Sequence, residues 1–298
     1  MRSRYAAVLV SAFIAASAAV PASAAAAAPR TAFELRSDAG WTTLREEAAF
    51  VAQLDAASPR VRTRVVGVSA GRRPITLLIV GPPRSDAEIA AGSSALVVCT
   101  QHGNEPAPRE ACLQRARDLA FGINTQTVLF IATANPDGVA ADTRGNASGA
   151  DINRTHTTLS TLEARAISNV MAAYRPDVLN DLHEYQQPGA RLVLTRNDAT
   201  FGPAVSPTIK AYAVHLRHRY QEPAIEAGSY VTGPYPAGVI FGSLAEISAQ
   251  KGIVSALTET PRAGQLSVLQ RVDAHRRSMD GTLAMLAARR ADLARVTR

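Results

Sequence analysis

Hydrophobic positions along the chain follow two rhythms. Several short runs are apolar almost without a break: ALVVCTQ at 95–101, TVLFIATA at 127–134, PDVLNDLHE at 176–184 and IVSALTE at 253–259. Runs this short predict strands buried on both faces. Between them, apolar positions recur at helical spacing, which predicts helices over 106–121, 159–174 and 206–220. A closing helix is expected over roughly 266–290, with Leu266, Leu269, Val272, Met279, Leu283 and Leu286 on its apolar side. Ahead of these elements, Leu44, Phe50, Val51 and Leu54 predict a helix over 41–57. Two strands, 61–68 and 74–80, follow as a hairpin whose turn holds Gly71. A further short strand is expected at 191–195, and residues 221–243, rich in Gly, Pro and Tyr, read as a loop. Continuous apolar strands alternating with helices predict one α/β domain with a mostly parallel or mixed twisted sheet covered on both faces. No repeat or linker divides it.

The first residues stand outside this pattern. Arg2 and Arg4 precede an apolar run from Tyr5 to Val20, and Ala22-Ser23-Ala24 completes a small-x-small site. Residues 1–24 are therefore expected to be a secretory signal peptide, which implies a secreted or periplasmic protein with no stable membrane anchor after cleavage. Residues 25–40 begin alanine-rich and are expected to be disordered, leaving 41–298 as the folded domain. Export permits a disulfide between Cys99 and Cys112, and two buried thiols fit equally well. Two cysteines exclude a cysteine-rich scaffold or a four-cysteine zinc site. The formal net charge of +7, with only 5% aromatic residues, reads as a basic soluble surface rather than a nucleic-acid interface.

Chemistry gathers where the predicted strands end. His102 and Glu105 follow the first apolar run, and His183 closes another. Two histidines and one carboxylate leave an open position, as a catalytic zinc requires. A lone H-x-x-E is common by chance; its weight here comes from position. Asn135 and Glu259 also lie at strand ends, and ligands in open parallel sheets bind beyond the carboxyl ends of the strands. Glu259, an acid ending the apolar run IVSAL, is a candidate general base.

An ordered series of short motifs runs through most of the domain: GVSAGRRPI (67–75), HGNE (102–105), NPDG (135–138), TRGN (143–146), DINR (151–154), DLHEY (181–185) and LTETPR (257–262). In this the chain resembles the zinc metallocarboxypeptidases of the carboxypeptidase A-like family, as a bacterial-type secreted member without a folded prosegment. Carboxypeptidase A is itself a well-known instance of a zinc site built from two histidines and a glutamate. The resemblance implies one zinc ion per chain, held by His102, Glu105 and His183. It implies that Glu259 is the general base, that Arg144 polarises the scissile carbonyl, and that Asn153 and Arg154 bind the substrate's terminal carboxylate. Asp151 corresponds to the acid that orients a metal-bound histidine. Tyr235 is the tyrosine nearest the family's substrate-capping position, and Leu244, following Gly242-Ser243, falls where the family defines its side-chain pocket and implies an apolar terminal residue. His156 and Glu184 match no ligand, and Tyr185 could line the site. The implied activity is hydrolysis of the C-terminal peptide bond of peptides with a free carboxylate. A zinc-dependent N-acyl amino acid deacylase or cell-wall peptide amidase could use a similar motif set.

Overall fold

Among the residues that the computed structural model describes, 27–236 and 238–297, eight strands pair into one sheet. The expected signal peptide over 1–24 lies outside the described residues. In chain order the strands are β1 (Val61–Val68), β2 (Pro74–Val80), β3 (Ser94–Cys99), β4 (Thr127–Ile131), β5 (Val178–Tyr185), β6 (Val193–Thr195), β7 (Thr232–Pro234) and β8 (Val254–Pro261). Across the sheet they run β1-β2-β4-β3-β5-β8-β6-β7. The central pairs β4–β3, β3–β5 and β5–β8 are parallel. The hairpin β1–β2 joins β4 antiparallel, and β6 joins β8 antiparallel. The α/β class read from the sequence therefore holds.

The helices are α1 (Ala32–Leu35), α2 (Leu44–Ala57), α3 (Asp86–Ala91), α4 (Pro106–Phe121), α5 (Pro136–Ala141), α6 (Leu162–Tyr174), α7 (Pro207–Leu216), α8 (Glu222–Glu226), α9 (Leu244–Gln250), α10 (Val268–Ala288) and α11 (Arg290–Val296). The two-residue strand period sorts the core between them. Ala95, Val97 and Cys99 of β3 face a cluster built with α2, α4, α7 and α10, whereas Leu96 and Val98 face one built with α3, α6 and α9. Both cysteines are fully buried and free.

The expected loop over 221–243 holds α8 and β7, and further differences from the expected pattern have local causes. Residues 31–40 are ordered rather than disordered. Thr31 and Glu34 form a capping box on α1, Phe33 is fully buried, and its ring stacks on Trp41 at 5.1 Å. The alanine-rich stretch before it hid this short amphipathic turn. Residues 244–250, which had no predicted element, form α9, capped by Ser243. Leu269 sits 53% exposed, because the inward face of α10 is shared with polar residues: Ser278 and Thr282 both accept from the Asn180 amide of β5.

Strand β3 ends at Cys99 and not at 101 because Thr100 adopts a left-handed backbone, with φ of 53°. A β-branched residue there is strained. It is held by backbone bonds between the strand ends, from Ala134 N–H to the Cys99 carbonyl and from Asn135 N–H to the Thr100 carbonyl. The turn sends residues 101–105 across the carboxyl edge of the sheet, where Gly103 lies against the backbone of Gly138. A Cβ added at Gly103 would fall 1.9 Å from the Gly138 carbonyl carbon, so the two motifs HGNE and NPDG fit together only through a glycine. Gly103→Ala is expected to cost about 3 kcal/mol or more, a fall of roughly 6–10 °C in the melting midpoint. An unchanged midpoint would show that this backbone contact is not tight.

Candidate metal centre and its cavity

The parallel register of β3, β5 and β8 brings the strand ends together. His183 on β5 stands directly beside Glu259 on β8. Glu105 is the N-cap residue of α4, with Pro106 at its first position, and its carboxylate accepts from the Glu184 backbone N–H at 3.0 Å. A single 3-10 turn, Ile152–Arg154, brings Asp151, Asn153 and Arg154 to the same edge.

His102, Glu105 and His183 converge, all buried, with one ligand atom from each lying within 4.8 Å of the others. His102 Nδ1 is 2.8 Å from Glu105 Oε1, His183 Nδ1 is 3.0 Å from Glu105 Oε2, and the two Nδ1 atoms are 3.1 Å apart. Two imidazole nitrogens turned toward each other and toward one carboxylate favour a cation or a proton between them. The surroundings supply the same demand. Burial opposes charge on His183, but Asp181 and Glu105 on its two sides outweigh it and hold its pKa well above the usual imidazole value. Burial likewise opposes the Glu105 carboxylate, yet His102 and His183 hold its pKa at about 2. Tetrahedral ligation at roughly 2.0–2.1 Å spaces ligand atoms about 3.3 Å apart, so this nitrogen–nitrogen–oxygen set fits zinc with little adjustment.

The outward nitrogen of each imidazole meets a carboxylate. His102 Nε2 lies 3.1 Å from Asp151 Oδ1, and His183 Nε2 lies 3.0 Å from Asp181 Oδ1. With Nδ1 turned to a metal, Nε2 carries the proton and donates it, which fixes ring orientation and raises ligand basicity. Asp151 stands where the sequence places it, and Arg144 grips its other oxygen at 3.0 and 3.1 Å while keeping Nη1 3.5 Å from Glu105. Burial opposes the Asp151 charge, but His102 and then Arg144 and Arg154 hold it well below the usual carboxylate range. Asp181 was not singled out from the sequence. Its signal was present: in D-x-H on a strand, both side chains share a face. Gln101 donates to Asp181 at 2.7 Å and pairs through Oε1 with His156 Nε2, also at 2.7 Å, which gives His156 a structural place. Burial lowers the His156 pKa to about 4, so it sits there neutral.

A cavity of about 260 Å³ opens over this set, lined among others by Arg144, Asn153, Arg154, Tyr185, Tyr235 and Glu259. The Glu259 carboxylate makes no hydrogen bond or ion pair with any described residue, and burial pushes its pKa up to about 7. Arg154 is exposed and donates to the Asn153 carbonyl at 2.7 Å. Asn153 Oδ1 accepts from the Leu244 N–H at 2.7 Å, and its Nδ2 lies 3.0 Å from His183 Nε2. When Nε2 gives its proton to Asp181, that amide faces another donor, and its own N–H groups are free for a ligand. The assignment of Leu244 to the side-chain pocket is corrected. Its side chain is fully buried in the cluster with α6 and lines no part of the cavity. Starting α9 at residue 244 turns that side chain into the core and presents Ala245 instead, beside Ile240 and Leu257. Glu184, which matches no ligand, braces the site from behind: it accepts from the Ala107 N–H of α4 and from Arg271 of α10 at 2.6 Å.

Comparison with known proteins agrees with this geometry. Residues 47–190 match the family model described as zinc carboxypeptidase, a span that holds the three ligands and stops short of Glu259. A probable carboxypeptidase 2 of Trichophyton verrucosum is 33% identical over 91 residues, 28% of this chain but only 18% of that protein's length. A metallo-carboxypeptidase from Burkholderia cenocepacia superposes with a TM-score of 0.65 at 19% identity, covering 82% of this chain and 69% of the other. Carboxypeptidase A from Helicoverpa armigera superposes with a TM-score of 0.68 at 18% identity, covering 85% and 73%. At such identities these two structures share the fold.

Asp181→Asn should lower zinc affinity by about 10- to 100-fold, read by competition with a chelator of known affinity. Unchanged affinity would show that His183 does not depend on Asp181 for its orientation.

Proposed function

We propose that this chain, whose residues 47–190 belong to the zinc carboxypeptidase family, is a zinc-dependent carboxypeptidase that releases the last residue from peptides with a free C-terminal carboxylate. One observation carries the reading. Glu259, a carboxylate with no described partner, shares one cavity with His102, Glu105 and the guanidinium groups of Arg144 and Arg154, and stands beside His183 in the sheet. Zinc held by His102, Glu105 and His183 would supply Lewis acidity toward a carbonyl oxygen and toward water.

The chain's own residues supply the remaining roles. Glu259 takes a proton from the attacking water and returns it to the departing amine. Arg144, tethered by Asp151 and close to Glu105, offers a fixed cation to the charge that develops on the carbonyl oxygen. Arg154 and the Asn153 amide present donors to the terminal carboxylate, a geometry suited to a guanidinium fork. Tyr235 lines the same cavity, where its phenol can cover a bound residue. The small apolar wall of Ile240, Ala245 and Leu257 receives the terminal side chain. The signal-like residues 1–24 support export.

Glu259→Gln is expected to keep stoichiometric zinc and lose about 10²- to 10⁴-fold in kcat. The base works only when deprotonated, so activity should fall as pH is lowered. Burial raises the Glu259 pKa from 4.5 toward about 7 and a bound cation lowers it. The acid limb of kcat/KM should therefore lie between those values and vanish in the variant. A variant retaining a tenth of the activity would remove Glu259 from this role. Arg154→Ala should raise KM for peptides with a free terminal carboxylate by about 10-fold or more. An equal loss on C-terminally amidated peptides would argue against release of a terminal residue.

A further inference from the structure

The central cavity continues in two directions, and no residue is shared by the two continuations. On one side Tyr235, Ile240, Ser243, Ala245 and Leu257 lead into a small recess closed by Arg196 and Glu246. Arg154 and Asn153 belong to this side: Asn153 is bonded to Leu244, and Gly242 lies against the Arg154 carbonyl. On the other side Asn104 and Arg262 form the shared wall of a separate cleft of about 710 Å³.

That second cleft is cationic. Its walls carry Arg45, Arg109, Arg262 and Arg271, together with Trp41 and one carboxylate, Asp142. Arg45 is exposed and makes no ion pair or hydrogen bond with any described residue. Arg262 donates to the Asn104 carbonyl and to Gln186 Oε1, and meets no carboxylate. Arg109 is 4% exposed and donates to the Thr42 carbonyl through one nitrogen, while its Nη1 has no hydrogen-bond partner. Arg271 lies over the Trp41 ring at 5.5 Å and is the one guanidinium of the four with a close carboxylate, Glu184 behind it. Of the other acids nearby, Glu46 pairs with Arg36, Glu110 is fully buried and accepts from Thr31 and Thr42, and Glu47 is shifted by burial toward its neutral form. Four guanidinium groups and one carboxylate, Asp142, therefore line a cleft that shares Asn104 and Arg262 with the cavity over the candidate metal centre.

We propose that this cleft binds an acidic side chain of the substrate peptide, upstream of the bond that is cut. The inference rests on the carboxypeptidase reading, because that reading sets the direction of the chain. With the terminal carboxylate at Arg154 and the terminal side chain on the Tyr235–Leu257 side, the preceding residues leave past Asn104 and Arg262. Two or three residues of extended chain span roughly 7–10 Å, enough to enter the cleft. An aspartate or glutamate there meets unpaired guanidinium donors. Lysine or arginine at the same place would meet like charge.

The test uses the zinc-loaded protein and peptide pairs identical except for Glu or Gln at the second or third residue from the C-terminus. At low ionic strength the Glu peptide should be favoured by about 3- to 10-fold in kcat/KM, chiefly through KM. The preference should shrink in about 0.5 M salt, where screening is effective within about 4–5 Å. It should also shrink in Arg45→Glu, a change that leaves the first turn of α2 well placed, since an acid there suits the helix dipole. Equal rates for the two peptides, or a preference that Arg45→Glu leaves intact, would overturn the assignment while leaving the activity standing. If neither peptide is hydrolysed, the activity reading itself fails, and calorimetric binding of the same pair to the Glu259→Gln protein decides the cleft. Tighter binding of the Glu peptide supports it, and equal binding overturns it.

Discussion

Parallel strands that pair in register must end on the same edge of a sheet, and the site depends on that constraint. β3, β5 and β8 run side by side, so the loop after Cys99, His183 at the end of β5 and Glu259 on β8 meet without any long-range search. The sheet core is closed on both faces, with Leu96, Val97 and Val98 fully buried, so this edge has little freedom to slide. A shift of one residue in β5 would turn His183 and Asp181 away from Glu105 and bring Leu182 to the metal side. The hydrophobic alternation that holds the register in the core is the same alternation that aims the ligands.

Gathering charge at a buried edge is expensive unless each group has a partner. Here the partners form a graded set. Glu105 is shared by two imidazoles and a backbone N–H, each imidazole leans on its own carboxylate, and each of those carboxylates is held by Arg144 or Gln101. The Glu184–Arg271 pair ties the start of α4 to α10 just behind. Glu259 alone stands outside this lattice of bonds. A carboxylate that the protein does not occupy is available for a transferable proton, whereas the bonded ones are not.

Much of this was legible from the residues. The apolar runs marked the four central strands, because a strand buried on both faces has to be apolar throughout, and the polar residues that close those runs marked the functional edge. Helix α4 was bounded by Pro106 at one end and Gly122 beyond the other. Less legible were features that depend on direction rather than identity. Leu244 lies at the position expected to shape the pocket, but Ser243 caps α9, and beginning a helix there rotates the side chain inward. Asp181 reads in the sequence as a polar interruption of β5, and only the orientation of His183 beside it shows the need for a carboxylate. The order at 31–40 rests on Phe33 finding Trp41 and on Thr31 and Thr42 reaching Glu110, contacts distant in sequence that an alanine-rich neighbourhood does not advertise.

Gly242 has a φ of 77°, and its missing Cβ lets the loop lie against the Arg154 carbonyl, while the next turn reaches back from Leu244 to Asn153. Two clasps therefore weld the turn that carries Asn153 and Arg154 to the segment that begins α9. On the proposed reading, the groups that hold the terminal carboxylate and the wall that Ala245 presents are parts of one clasped unit. On that reading, a change of preference comes more readily from exchanging the side chains at 240, 245 or 257 than from remodelling the loop, which would disturb Asn153 and Arg154 in the same stroke.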